Sequence, residues 1–467
     1  MNNLNQYLNW LTITASGLCA TLLLVTGAQA ADSITTTPRS VTATVSQFSP
    51  NPLIAVRKKQ PRQKKVKKKA NKTETRASSS PQLELTQTPP PPITSPDPIV
   101  PPEAPKVETP APNQFSLNTK LEGQVIFGAT GTFTGDFERN PAFGHRTRLE
   151  LITDINGGTL TTRLQAVGLG LSNQNVTAGT TGTTTNEGNL SWTDGTTTSS
   201  IGIDTLKYEF ALTSQTQVVI AANAGAADDF TDTINPYFDG DGASGSISAF
   251  GNRPSIYYTV SGVGVGVRHK LSDTTELSLG YLANDGQTPA AGSGLFGGGY
   301  GAIAQLTFQT GENSKVGVTY ARTLNSAFGT GSNNAENLSG LSNNFGLQGS
   351  FQLNPQLALG GWVGYTQNQS AAGVDRQIWN WALTAAAPDL GGKGNLAGFL
   401  VGQEPRVTFA SDGSSDTKAG LHIEGFYQFK VSDSLIITPG IIYLTAPNQD
   451  ANSSGAVIGA VRTTFTF

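Results

Sequence analysis

Three arginines and five aspartates set the chemistry open to this chain. Arg146, Arg148 and Arg163 fall on neighbouring segments of period-two spacing, which puts them on one polar face as a basic wall. Asp228, Asp229, Asp232, Asp239 and Asp241 crowd residues 224–258, a stretch that also carries Phe230, Tyr237, Phe238 and Phe250 as apolar anchors. Fixed anions facing fixed cations across a gap create a transverse field that orients dissolved solutes and favours cations. Such a gap needs the acidic stretch to fold inward against the arginines; the alternative is an acidic surface loop that never meets them.

Covalent and metal chemistry find little support. His145, His269 and His422 lie on different segments, and none has the Ser/Asp spacing of a nucleophile motif, so an enzyme is not expected. The single cysteine, Cys19, sits in the N-terminal apolar segment, which leaves the rest of the chain without thiolate or disulfide chemistry. Asp239-Gly240-Asp241-Gly242 opens like a calcium loop. It fails further on, because Ser244 stands where the turn glycine is needed and Phe250 where the bidentate carboxylate belongs. The glycines at 262, 264 and 266 alternate with valines and no helical pattern follows, so they are strand glycines and not a phosphate loop. No metal and no cofactor are expected.

The elements that would position these charges are strands. In the last thirteen residues, Phe467, Phe465, Thr463, Val461, Gly459 and Val457 fall on one face and Thr466, Thr464, Arg462 and Ala460 on the other. From Ser116 onward sixteen segments repeat this alternation, with mostly long connections after odd-numbered segments and mostly short ones after even-numbered segments. Residues 259–270 read as one long strand; splitting the region around Ser261-Gly262 would give an odd count, and eighteen is the alternative total. That asymmetry, an aromatic final strand and the absence of any later run of ~20 apolar residues predict an all-β fold: a transmembrane antiparallel β-barrel over residues 114–467. A soluble sandwich would alternate in the same way, but here no signal for a second core is present. Apolar faces would then meet outer-membrane lipid and polar faces a wet lumen. Besides the arginine wall, the expected lining includes Glu122, Gln124, Glu150, Gln165, Lys207 and Glu209. His422, Glu424 and Arg462 complete it near the C-terminus.

The N-terminal quarter reads differently. Residues 1–30 resemble a secretory signal, with an apolar core at 18–26 and a small-x-small site at Ala28-Gln29-Ala30, although a basic n-region is missing. Residues 31–113 have no apolar period and are expected to form a disordered periplasmic arm. Eleven of the chain's 30 basic residues lie between positions 57 and 76, among them Lys58, Lys59, Lys64, Lys65, Lys67, Lys68 and Lys69. Twelve of the 25 prolines follow between positions 81 and 112, so this half should be extended and semi-rigid. In polyproline geometry it would reach on the order of 100 Å, far enough to enter a cell wall. The lysines are either a solvated tail or an electrostatic attachment to an anionic wall polymer such as peptidoglycan. A nucleic-acid arm would look similar, but export argues against it.

Residues 121–128 (LEGQVIFG), 146–149 (RTRL), 162–165 (TRLQ), 252–257 (NRPSIY) and the terminal aromatic strand resemble the cyanobacterial outer-membrane porins of the carbohydrate-selective porin family, often labelled iron-uptake porins. The resemblance covers roughly residues 116–467. It implies passage of inorganic ions, iron included, and of small hydrophilic solutes, and a homotrimer in the outer membrane. Both termini would be periplasmic, as the even strand count also requires. Relatives carry an N-terminal surface-layer homology domain and a coiled coil that bind the wall; this sequence has the Lys/Pro arm in their place. Carbohydrate selectivity is the less supported variant, because the lumen reading gives charges and no aromatic ladder. A reading from another class is a structural tether, in which a closed barrel anchors the arm between membrane and wall.

Overall fold

A strand with one apolar and one polar face must satisfy both, and this chain does so by closing a single sheet on itself. The structure, a computed structural model, describes residues 115–133, 141–170, 177–178, 183–193, 198–336 and 338–467. The expected signal segment, the arm and its lysines lie outside the described residues.

Sixteen antiparallel strands form the barrel. They are β1 (Thr119–Thr132), β2 (Ala142–Ile155), β3 (Gly158–Val167), β4 (Gly202–Thr213), β5 (Thr216–Ala226) and β6 (Ser261–Lys270). Next come β7 (Thr275–Ala283), β8 (Tyr300–Gly311), β9 (Ser314–Ser326), β10 (Leu338–Asn354) and β11 (Leu357–Gln369). The last five are β12 (Asp375–Pro388), β13 (Leu396–Ala410), β14 (His422–Ser432), β15 (Leu435–Leu444) and β16 (Ala456–Thr466). β16 pairs back onto β1, from Gln124 opposite Thr466 to Thr132 opposite Ile458, and Gly123 and Phe467 exchange backbone hydrogen bonds of 2.8 and 3.0 Å. Among the described residues, the barrel sheet keeps no unpaired edge.

Turn chemistry sets one end of the cylinder. Asn156 and Gly157 adopt φ of 51° and 80°, the left-handed pair that a two-residue hairpin turn needs, and they join β2 to β3. The connections from β4 to β5, β8 to β9, β10 to β11 and β14 to β15 are equally tight. Long connections collect at the opposite end. β1 begins and β16 finishes at the short-turn end.

Exposure alternates with position. Val461 is 43% exposed while its neighbour Arg462 is fully buried, and Leu347 and Leu383 are 50% and 61% exposed. Large apolar side chains therefore cover the outside. Tyr320, Phe345, Tyr365 and Trp379 are register partners on β9 to β12, with successive ring centroids 5.3, 6.3 and 4.6 Å apart. Such a row of aromatics is what a bilayer interface favours.

One boundary bears on the strand count. The strand expected over residues 259–270 starts at Ser261, because Ser255–Thr259 forms a 3-10 turn that buries Ile256 and Tyr257 and is closed by the Thr259 hydroxyl bonding the Ile256 carbonyl at 2.6 Å. The region is thus one strand, and the count is sixteen. β13 outruns its pairing with β14: from Gln403 to Ala410 it is paired only to β12.

Candidate functional site

The connection between β5 and β6, residues 227–260, crosses the inside of the barrel. Its roots are apolar: Phe230, Ile256 and Tyr257 pack with Val219, Leu282 and Ile303 on the inner wall of β5, β7 and β8. Gly266 and Gly280 make this possible, since a Cβ on either would lie 2.1 Å from the Phe230 ring. The far part of the loop is apolar too. Phe238, Ile247 and Phe250 pack with Trp362, Leu400, Phe426, Ile442 and Ile458, with edge-on ring pairs Phe238–Phe426 at 5.3 Å and Phe250–Trp362 at 5.4 Å. A segment held by walls on both sides of a closed cylinder lies across its bore.

Between these apolar contacts the loop carries a small ribbon, Asp239–Gly240 with Ser244–Gly245, whose tip turns at Asp241 and Gly242. Both have positive φ, 49° and 75°. A side chain at Gly242 would collide with the Ser191 carbonyl at 2.3 Å, so the tip needs glycine twice over.

The tip is where the opposed charges meet. Arg148 forms an ion pair with Asp241, and Arg163 approaches the same carboxylate at 3.4 Å while pairing with Asp204 at 2.5 Å and Glu150 at 3.5 Å. Arg146 donates to Gln124 Oε1 at 2.7 Å and to the Asp241 carbonyl at 3.0 Å, and Arg148 donates to Gln165 Oε1 at 2.5 Å. Enclosure works against ionisation of Asp241, but Arg148, Arg146, Arg163 and Arg253 outweigh it and hold the carboxyl at about 2. The other loop carboxylates are also matched. Asp229 pairs with Lys207, Asp232 with Lys315, and Asp228 and Asp239 with Arg253, the last at 2.9 Å. Burial raises the Asp228 carboxyl against the pull of Arg253. Glu122 pairs with Lys120 at 2.5 Å near the short-turn end, and Glu209 shares the Lys207 face of β4.

Two cavities flank the tip. One, of about 360 Å³, is bounded by Lys120, Glu122, Gln124, Arg148, Glu150 and Asp241. The other, of about 520 Å³, is bounded by Asp228, Asp232, Asp239, Asp241, Arg253, Arg268, Glu276 and Lys315. Asp241 belongs to both.

Arg146 and Arg148, expected as an open basic wall, are largely covered by the loop tip, and three further residues expected to face lumen water do not. Glu424, Arg462 and His422 are buried under the loop and hold it to the wall. Arg462 donates to the carbonyls of Gly242, Gly245 and Ser246 at 3.1, 2.7 and 2.9 Å. Glu424 accepts from the Ile247 amide at 2.7 Å, from the Ser246 hydroxyl at 2.8 Å and from the Ser248 hydroxyl. His422 bridges Glu424 to Glu404, 2.6 Å from Glu404 Oε1. The physical reason is that this part of the bore is filled by apolar packing: the inner faces of β11 to β16 carry Trp362, Leu400, Phe426, Ile442 and Ile458, which the loop must cover.

A second loop, between β3 and β4, folds inward as well, which its Thr/Gly-rich composition did not announce. Leu190 bridges Ser248 in antiparallel register, the Ser191 amide donates to the Ile247 carbonyl at 3.0 Å, and the Trp192 ring lies 5.2 Å from the Arg462 guanidinium. Glu187 anchors this strap, accepting from the Asn448 amide and from Gln449 Nε2 at 2.5 Å. Burial, then the neighbouring Glu404, push its carboxyl up to about 8. Sequence reading also assigned no role to Arg253, although it lies in the 252–257 motif. Nor did it to Arg268 and Lys315, whose place on the inner faces of β6 and β9 the alternation already implied.

Residues 106–467 match the model of the carbohydrate-selective porin, OprB family. An uncharacterized protein of Nostoc sp. is 35% identical over 76% of this chain and 66% of its own length, and an uncharacterized protein of Synechocystis sp. is 30% identical over 76% and 70%. This chain thus spans about two thirds of the length of these relatives. Among solved structures, Pseudomonas putida OprB superposes with a TM-score of 0.55 at 11% identity over 75% of this chain and 94% of that one. Vibrio cholerae OmpT lacking one loop, an outer membrane protein, gives 0.50 at 10% identity over 75% and 99%. At such identities the likeness is one of fold.

Proposed function

Because the chain belongs to the carbohydrate-selective porin, OprB family, we propose that its outer-membrane barrel passes inorganic ions and small hydrophilic solutes by diffusion along the basic wall, past the acidic edge of the inward loop. One observation carries this reading: the loop packs on the apolar part of the bore and leaves two charged cavities, both lined by Asp241. The larger cavity is bounded by five carboxylates and three cationic side chains, which supports a preference for cations.

The family's description favours a second reading, selectivity for carbohydrates. A vesicle-swelling assay separates the two. Uptake of arabinose and glucose no faster than of uncharged polyols of equal size, with a cation-selective zero-current potential in a KCl gradient, supports the ion path. Sugar uptake well above the size-matched polyols overturns it in favour of the second reading.

The short-turn end, with both barrel termini, faces the periplasm in this account, which lets the Lys/Pro arm reach the wall polymer. The barrel's apolar outside meets lipid and neighbouring copies in a homotrimer. Deleting residues 57–72 should abolish co-sedimentation with isolated wall; unchanged sedimentation removes the attachment.

A further inference from the structure

The connection between β7 and β8, residues 284–299, does not stand above the barrel mouth; it folds down over the outside. Alternation places Val263 and Ala283 on the outward faces of β6 and β7, beside Val265 and Tyr281, and they are register partners. Outward side chains near them are open, yet Val263 is 8% exposed and Ala283 is 0% exposed. They are covered by this loop, with Gly286 seated against the Val263 side chain and Leu295 beside it. The Tyr281 hydroxyl donates to the Leu295 carbonyl at 2.6 Å, which ties the loop to the outer surface.

The short helix Gly294–Gly297 then presents Phe296, which is 86% exposed, on the outer side. Its ring centroid lies 5.9 Å from that of Tyr281, which stacks on Tyr300 at 5.5 Å. Three aromatic rings thus run continuously from the strand wall onto the loop. An isolated exposed phenylalanine means little. This one extends an aromatic row at the long-loop end of an outward apolar face, where a ring gains from sitting between headgroups and acyl chains.

We propose that residues 284–299 form a membrane-interface flap, with Leu295 and Phe296 inserted at the headgroup–acyl boundary of the outer leaflet. The occupant is lipid, because the patch is continuous with the apolar wall of β6 to β8. This inference rests on the reading of the barrel as lipid-facing, and the test keeps the two apart.

Full-length protein with Cys19→Ser receives one cysteine at a time, Phe296→Cys, Leu347→Cys or Asp412→Cys, is nitroxide-labelled and is reconstituted into lipid vesicles. Accessibility to oxygen and to a water-soluble nickel chelate is read by spin resonance. The Leu347 site, mid-wall, reports acyl chains and the Asp412 site, on an outer loop, reports water. The label at 296 should follow Leu347, with oxygen access exceeding chelate access. Behaviour like Asp412 overturns the flap. Exclusion of both reagents together with dipolar broadening between labels also overturns it, since a second copy of the chain would then cover the patch. Chelate access at Leu347 would instead sink the lipid-facing barrel itself.

Discussion

At the scale of single residues, the proposed ion path puts its sign in the hands of Asp241. It is the one loop carboxylate shared by both cavities, and three wall arginines point at it. Asp241→Asn should therefore move the zero-current potential toward anion selectivity, read in a KCl gradient across a planar bilayer; an unchanged potential would exclude Asp241 from the path. Its acid range follows from the same contacts. A carboxyl held down at about 2 contributes its pairing energy fully above the ordinary carboxylate range and loses it as pH falls through about 2. Cation preference should accordingly survive acidification to about pH 3 and fade below. Gly242 and Arg462 are structural counterparts of Asp241. Gly242→Ala places a side chain at φ 75° against a carbonyl and should destabilise the loop by about 1–3 kcal/mol, seen as earlier proteolysis of residues 227–260. Arg462→Leu orphans the buried Gly242 and Gly245 carbonyls at about 1–3 kcal/mol each and leaves the Ser246 carbonyl only the Ser191 hydroxyl. The loop should lift and the unit conductance rise; equal conductance would show that Arg462 does not hold it.

At the scale of elements, the sequence carried the strands far better than the loops. Period-two spacing identifies β16 and the tight turn at Asn156-Gly157 because each depends on neighbours in the chain. It misplaced the start of β6, since the 3-10 turn at Ser255–Thr259 is stabilised by burying Ile256 and Tyr257 against distant strands. The inward acidic loop was one of two readings; its aromatic anchors hinted at the fold, but which walls they meet depends on closure. The strap between β3 and β4 left no periodic trace, because Leu190 and Trp192 are single anchors in polar sequence. Alternation likewise marks Arg462 and Glu424 as inward but cannot tell wet from covered. The strap carries its own prediction. Glu187 lies beside Glu404 and Asp416 and is raised to about 8, so its contribution is fully present below the usual carboxylate range and is lost as pH rises through about 8. Protease cutting within residues 183–193 of reconstituted protein should increase between pH 7 and 9, and Glu187→Gln should remove that dependence.

At the scale of the whole molecule, a sixteen-stranded porin has its bore divided unequally. Loops and apolar wall make β11 to β16 a packed sector, a smaller apolar patch on β5, β7 and β8 roots the inward loop, and two charged cavities flank its tip. The proposed passage would run through the charged cavities, with the packed sector holding the loop in place. Single-channel recording of the purified full-length protein in a planar bilayer tests this most directly. The expected result is stepwise, cation-preferring conductance that Asp241→Asn alters in selectivity and Arg462→Leu enlarges. A membrane that stays silent with properly inserted protein would contradict it and leave a closed barrel that serves as a tether.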